Sequence, residues 1–140
     1  MPEQQFPTCE IMGVRVAVTD MDATRRRRRD NLERGRGEYI CVANVHTTVT
    51  AHRDEEYRRV QNGSAMVLPD GGPLSKYSRT HGYPQAKRVT GPDLMRRVLA
   101  ESAKHGWTHY FYGSTPETLE KLGEVLAQRY PGAKVAGMYS

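Results

Sequence analysis

Short apolar runs separated by helix-length polar stretches constrain this chain more than any other feature. Residues 11–18, 39–43, 65–69, 109–112 and 134–139 are of strand length and rich in β-branched and aromatic side chains. Between them, residues 20–34, 47–62 and 73–80 have helix-compatible patterns, with Gly35 and Gly63 as stops. Two later helices carry clearer start signals. One opens at Gly91-Pro92-Asp93 and closes at His105-Gly106. The other opens at Ser114-Thr115-Pro116-Glu117, either as a capping box from Ser114 to Glu117 or with Thr115 as the cap and Pro116 behind it. Strand and helix in alternation predict an α/β domain with a mostly parallel sheet and flanking helices.

Residues 1–10, with Pro2 and Pro7, read as a loose leader, and 11–140 as one domain. The last strand meets Ser140 with no helix after it, so the domain is expected to be incomplete at its C-terminal end.

The net charge of +5 has one source: without Arg25 to Arg29 it would be zero. Five consecutive residues on a helix point in all directions, which makes a poor phosphate-tracking stripe, and no aromatics are interleaved to stack on bases. The run therefore reads as a solvated helix segment, with no nucleic-acid partner expected. An anionic-polymer binder, or loose attraction to an anionic membrane surface, is the alternative it leaves. Cys9 and Cys41 form neither a disulfide framework nor a zinc pattern, and the five histidines show no metal-binding spacing, so no metal is expected. No run approaches the roughly 18 apolar residues of a membrane span, and the N-terminus lacks a signal-peptide layout. A cytoplasmic chain with reduced, packing cysteines is the expectation.

In an open parallel sheet, ligands gather where strands end and helices begin. Four such junctions carry polar or glycine residues. Asn44 and His46 follow the second apolar run, and can orient a polar ligand or serve as cap and turn-former. Asp70 and Gly71 follow the third; the carboxylate suits a general base, or caps the helix started by Pro73. Arg88 offers a fork of donors for phosphate, and Gly91 opens the backbone at a helix start where anions bind well. Gly113 and Ser114 form a small-residue turn into the last helix, a candidate diphosphate cradle that matches neither nucleotide-binding glycine motif. Together they suit an anionic, phosphate-bearing ligand.

Read in order, these junctions resemble the WecG/TagA/CpsF family of bacterial glycosyltransferases. The stretches that carry the likeness are NVHT at 44–47, DEEYRR at 54–59, VLPDGGPL at 67–74, RVTGPDLM at 88–95, YGSTPE at 112–117, RYPG at 129–132 and VAGMYS at 135–140. The resemblance implies a Rossmann-like fold and inverting transfer of an N-acetylhexosamine-type sugar from a UDP donor. The implied acceptor is a polyprenyl-diphosphate-linked sugar at the cytoplasmic face of the membrane, for teichoic acid or capsule synthesis. Asp70 falls on the aspartate that activates the acceptor hydroxyl, Arg88 on an active-site arginine, and Asn44 in the pocket-lining segment. UDP-sugar is the donor substrate, and no separate cofactor is implied. Val42-Ala43 stands where the family often has threonine, and the arginine run replaces a more amphipathic helix. The family domain continues into further strand–helix units. A truncated, inactive chain, a remnant that binds a nucleotide sugar or partner subunit, and a homo-oligomer or complementing chain remain open alternatives.

Overall fold

The computed structural model describes residues 6–35 and 37–140. The chain divides into two compact units, residues 1–94 and 95–140.

The first unit begins with a hairpin. Strands β1 (Thr8–Ile11) and β2 (Val14–Ala17) pair antiparallel, with Ile11 opposite Val14. Met12 and Gly13, both at positive φ (52° and 89°), make the two-residue turn; left-handed conformation at both positions matches the twist of the flanking strands. The run 11–18 therefore spans a chain reversal. β1 also takes in Thr8, Cys9 and Glu10, which the sequence placed in a loose leader; residues 1–5 of that leader lie outside the described residues. Cys9 and Ile11 alternate inward, too brief a pattern to stand out in sequence.

Helix α1 (Met21–Glu33) starts on Asp20, whose Oδ1 accepts from the Ala23 N–H at 2.8 Å. Its arginine run is not the solvated face expected. Arg26 is exposed, but Arg25, Arg27, Arg28 and Arg29 are half-buried. The Arg27 guanidinium lies 5.1 Å from the Phe6 ring centroid, and Arg25 Nη2 is 3.2 Å from Asp22. A helix this poor in apolar residues can use the aliphatic stems of its arginines as cover, with one guanidinium over an aromatic ring and another paired to a carboxylate.

Strand β3 (Ile40–Ala43) precedes α2 (Val45–Arg53) and α3 (Glu55–Asn62), where one helix over 47–62 was expected. Asp54 divides them. Its N–H closes α2 on the Thr50 carbonyl, and its side chain accepts from the Tyr57 N–H at 3.1 Å to start α3. Glu55 and Glu56 favour the new N-terminus, and Arg58 donates to the Ala51 and His52 carbonyls at the end of α2. Strand β4 (Met66–Pro69) pairs parallel with β3, Ile40 opposite Met66 and Ala43 opposite Pro69. All four β4 residues are buried, as a parallel strand covered on both faces requires. Val67 joins a core with Val14, Val16, Ala43 and Leu74, while Met66 and Leu68 join Ala17 and Val89. Helix α4 (Gly72–Thr80) follows, and α5 (Gly91–His105) begins in this unit.

In the second unit, β5 (Thr108–Tyr112) and β6 (Lys134–Tyr139) pair parallel and are joined through α6 (Pro116–Arg129). The turn before β6 touches α5 closely: a Cβ at Gly132 would fall on the Ala103 Cβ and 3.1 Å from its Cα. A backbone neighbour cannot swing aside, so Gly132→Ala is expected to destabilise this unit by about 1–3 kcal/mol, read by urea unfolding. Two parallel pairs and six helices make an α/β architecture consistent with part of a Rossmann-like fold, with its parallel ladders in pairs among the described residues.

Candidate functional site

The parallel register of β3 and β4 puts their carboxyl ends level, so the residues that follow are neighbours. Asn44 and Asp70 are those residues. Asn44 caps α2: its Oδ1 accepts from the Thr47 N–H at 2.9 Å, and its own N–H donates to Thr47 Oγ1 at 3.0 Å. The Asp70 N–H donates to the Ala43 carbonyl at 2.9 Å. Gly71 then passes so near that a Cβ there would lie 3.3 Å from Asn44 Cα, so the missing side chain lets the two junctions touch.

The Asp70 carboxylate is half-buried and has no protein partner among the described residues. It does not cap α4, whose cap position is Gly71 with no side-chain bond. Arg88 reaches the same place: its Nε donates to the Asp70 carbonyl, and Val89 N–H donates to the Pro69 carbonyl at 3.0 Å. One guanidinium nitrogen is thus anchored on the backbone of the acid's own residue. The terminal nitrogens have no partner among the described residues and remain exposed. A fork held by one prong, with two left over, is suited to phosphate oxygens.

Gly91 is the first residue of α5 and packs on Val42, whose Cγ2 would be 3.4 Å from a Cβ there. Thr90 caps this helix, its Oγ1 accepting from Asp93 N–H at 3.1 Å. His46 is exposed in the first turn of α2. Starts of α2, α4 and α5 therefore accompany Asp70 and Arg88, and helix N-termini favour negative charge. In the second unit, Gly113 (φ 121°) and Ser114 (φ 65°) turn from β5 towards α6. Gly113 N–H donates to the Tyr139 carbonyl at 2.8 Å, and Thr115, not Ser114, is the α6 cap.

The sequence did not single out the cavity beside this cluster. It measures about 330 Å³, with Arg28, Asn31 and Leu32 of α1 on one wall, Gly91 and Leu94 of α5 on another, and Ile40, Val42 and the preceding Glu38 between them. Asp70 is not among its lining residues. Spacing was the available signal: positions 28, 31 and 32 share one helix face, as 40 and 42 share one strand face. Burial pushes the Arg28 guanidinium below its ordinary pKa. Among the described residues, no three His, Cys, Asp or Glu side chains are placed to hold a metal ion, and no helix is long and apolar enough to cross a membrane.

Asn44 allows a prediction that separates support from recognition. Asn44→Ala is expected to lower stability by about 1 kcal/mol through loss of the cap, whereas Asn44→Asp keeps it. Thermal unfolding of both variants checks this, and equal losses would remove the cap from the account.

Residues 9–140 match the model of the Glycosyl transferase WecG/TagA/CpsF family. The chain is also similar to proteins named N-acetylglucosaminyldiphosphoundecaprenol N-acetyl-beta-D-mannosaminyltransferase. That of Bacillus spizizenii is 26% identical over 106 residues, covering 76% of this chain and 41% of the relative. That of Bacillus subtilis (strain 168) is 26% identical over 101 residues, 72% of this chain and 40% of the relative. The Staphylococcus aureus (strain NCTC 8325) protein is 28% identical over 98 residues, 70% and 39% respectively. The chain thus spans about two fifths of the length of the curated relatives it matches.

Proposed function

Because the chain belongs to the glycosyl transferase WecG/TagA/CpsF family, we propose that it carries the base and donor-binding face of an inverting glycosyltransferase. The donor is a UDP-linked N-acetylhexosamine, and the acceptor a sugar on a polyprenyl diphosphate at the cytoplasmic membrane face. The relatives' name, N-acetylglucosaminyldiphosphoundecaprenol N-acetyl-beta-D-mannosaminyltransferase, supports that acceptor class.

One observation carries the reading: a half-buried carboxylate without a protein partner among the described residues ends β4, and a guanidinium is anchored on its own backbone. In the proposed step, Asp70 takes the proton of the acceptor hydroxyl as its oxygen attacks the anomeric carbon. The bond from that carbon to the diphosphate oxygen breaks, and UDP leaves with the electron pair. Attack opposite the leaving group inverts the centre. Arg88 Nη groups and the α4 and α5 N-termini offset the negative charge developing on UDP. Asn44, His46 and Gly71 border the sugar, and no resident cofactor is required.

Calorimetry with UDP-N-acetylhexosamines, followed by UDP release on adding the polyprenyl-linked acceptor, tests binding and transfer separately. Saturable donor binding is expected. Its absence at millimolar donor would overturn the proposal. Binding without release would assign the chain to donor binding alone.

A further inference from the structure

The stretch DEEYRR at 54–59 has no part in the reaction above, yet both of its arginines line a second cavity. This hollow of about 390 Å³ is bounded by Arg15 of β2, by Glu55, Arg58, Arg59 and Asn62 of α3, and by Gly63. Its volume suits a small ligand, but three guanidinium groups and one carboxylate make the lining charged, where most ligand sites are apolar. Two of the arginines are held in place. Arg15 Nη2 donates to the Asn62 carbonyl at 3.0 Å, and the Arg15 backbone N–H donates to Asn62 Oδ1 at 2.9 Å. Arg58 is half-buried, with Nη1 donating to the Ala51 and His52 carbonyls at 3.2 and 3.1 Å. Each has its Nε and its other terminal nitrogen without a protein partner among the described residues. Arg59 reaches only Glu55, at 3.4 Å, and both side chains are 76% exposed. No residue of the candidate site lines the hollow. Asn62 and Gly63 precede β4 whereas Asp70 follows it, so the two places lie at opposite ends of that strand.

We propose that this hollow is a separate anion site, which takes a phosphate group presented either as free phosphate or on a lipid headgroup. The inference goes beyond the sugar-transfer reading and does not depend on it. A helix C-terminus favours a cation, so capping of α3 accounts for the one Arg15 nitrogen on the Asn62 carbonyl. Capping does not account for the convergence of three guanidinium groups on one hollow with a single carboxylate among them. That surplus of two positive charges is unfavourable until an anion lies between them. Arg15 and Arg58 are already fixed on backbone carbonyls, so little side-chain freedom is left to lose on binding. Their remaining nitrogens, with the fork of Arg59, supply charge-assisted hydrogen bonds that suit phosphate oxygens. Glu55 opposes the anion. Its exposed pair with Arg59 is worth little and opens readily, which releases the third guanidinium to the ligand.

The test is calorimetric titration of the full chain with inorganic phosphate, comparing wild type with Arg15→Gln, Glu55→Gln and the exposed Arg26→Gln. Loss of a charged donor predicts phosphate affinity about tenfold weaker in Arg15→Gln. Loss of the competing carboxylate predicts affinity about two- to fivefold tighter in Glu55→Gln, and Arg26→Gln should match wild type. Flotation with phosphatidylcholine vesicles, with and without phosphatidylglycerol, separates the two sources. Capture by the anionic vesicles that Arg15→Gln abolishes assigns a lipid headgroup, and phosphate binding without capture assigns free phosphate. Binding of neither phosphate nor anionic vesicles by wild type overturns the proposal, as does binding that Arg15→Gln leaves unchanged. Phosphate lost in Arg88→Gln and kept in Arg15→Gln would put the anion at the candidate site and overturns it too. Should Arg15→Gln not fold, Glu55→Gln decides, and affinity no tighter than wild type ends the assignment. UDP-sugar affinity should be equal in wild type and Arg15→Gln, so failure of either reading leaves the other standing.

Discussion

Asp70→Asn is expected to lower sugar transfer by about 10² to 10⁴-fold while donor affinity stays within about twofold. The amide keeps the size and polarity of the carboxylate but cannot take a proton from the acceptor hydroxyl. Because the loss falls on the chemical step, kcat and kcat/KM should fall together. Stability should hold, since the side chain makes no protein bond among the described residues and the local geometry depends on backbone bonds to Ala43 and from Arg88. Removing a charge near the start of α4 costs a few tenths of a kcal/mol at most on this surface. Transfer by Asp70→Asn at the wild-type rate would remove the acid from the mechanism. A parallel fall in donor affinity would make it a binding group instead.

The junctions that make up the candidate site were legible as local motifs. Asn44, Asp70, Arg88 and Gly91 each announce a strand end or helix start from a few residues. Parallel pairing of β3 with β4 then brings the first two together without further information. The backbone anchoring of Arg88 on Asp70 was not legible, since 18 residues separate them and only tertiary structure closes that gap. The cavity was missed for the same reason. It is made by single faces of three elements, and its most telling side chain was hidden within a run of five identical residues.

Misreadings of the fold share a different cause. The run 11–18, legible as a strand or hairpin arm, reverses at Met12-Gly13 with a methionine in left-handed conformation, a residue that does not mark the turn. At Asp54 the helix pattern continues on both sides, so periodicity passes over a break that a single side-chain cap creates. Composition also suggested that arginines face water, whereas α1 has so little apolar surface that their stems become its packing.

Leu68→Ala should be the most damaging of the packing changes, at about 2–5 kcal/mol by urea unfolding. Leu68 is fully buried, packed with Ala17, Met66 and Val89, on a strand with both faces covered. Neighbours held by strand pairing can collapse little into the void. Against a total of about 5–15 kcal/mol for a native domain, that is a substantial share. Val60→Ala, on an exposed face of α3, should cost about 0.5 kcal/mol or less and serves as the control. Leu68 lies two residues before Asp70, so the variant also tests how the site is supported. The Asp70 N–H is held by the Ala43 carbonyl across the parallel pair, which does not need the leucine side chain. Folded Leu68→Ala should therefore bind UDP-sugar with near-wild-type affinity at low temperature and lose it on warming, in step with unfolding. Asp70→Asn should do the reverse, keeping the wild-type melt and losing transfer at every temperature. If Leu68→Ala costs under about 1 kcal/mol, or loses donor affinity while still folded, β4 is not the rigid support from which the acid acts.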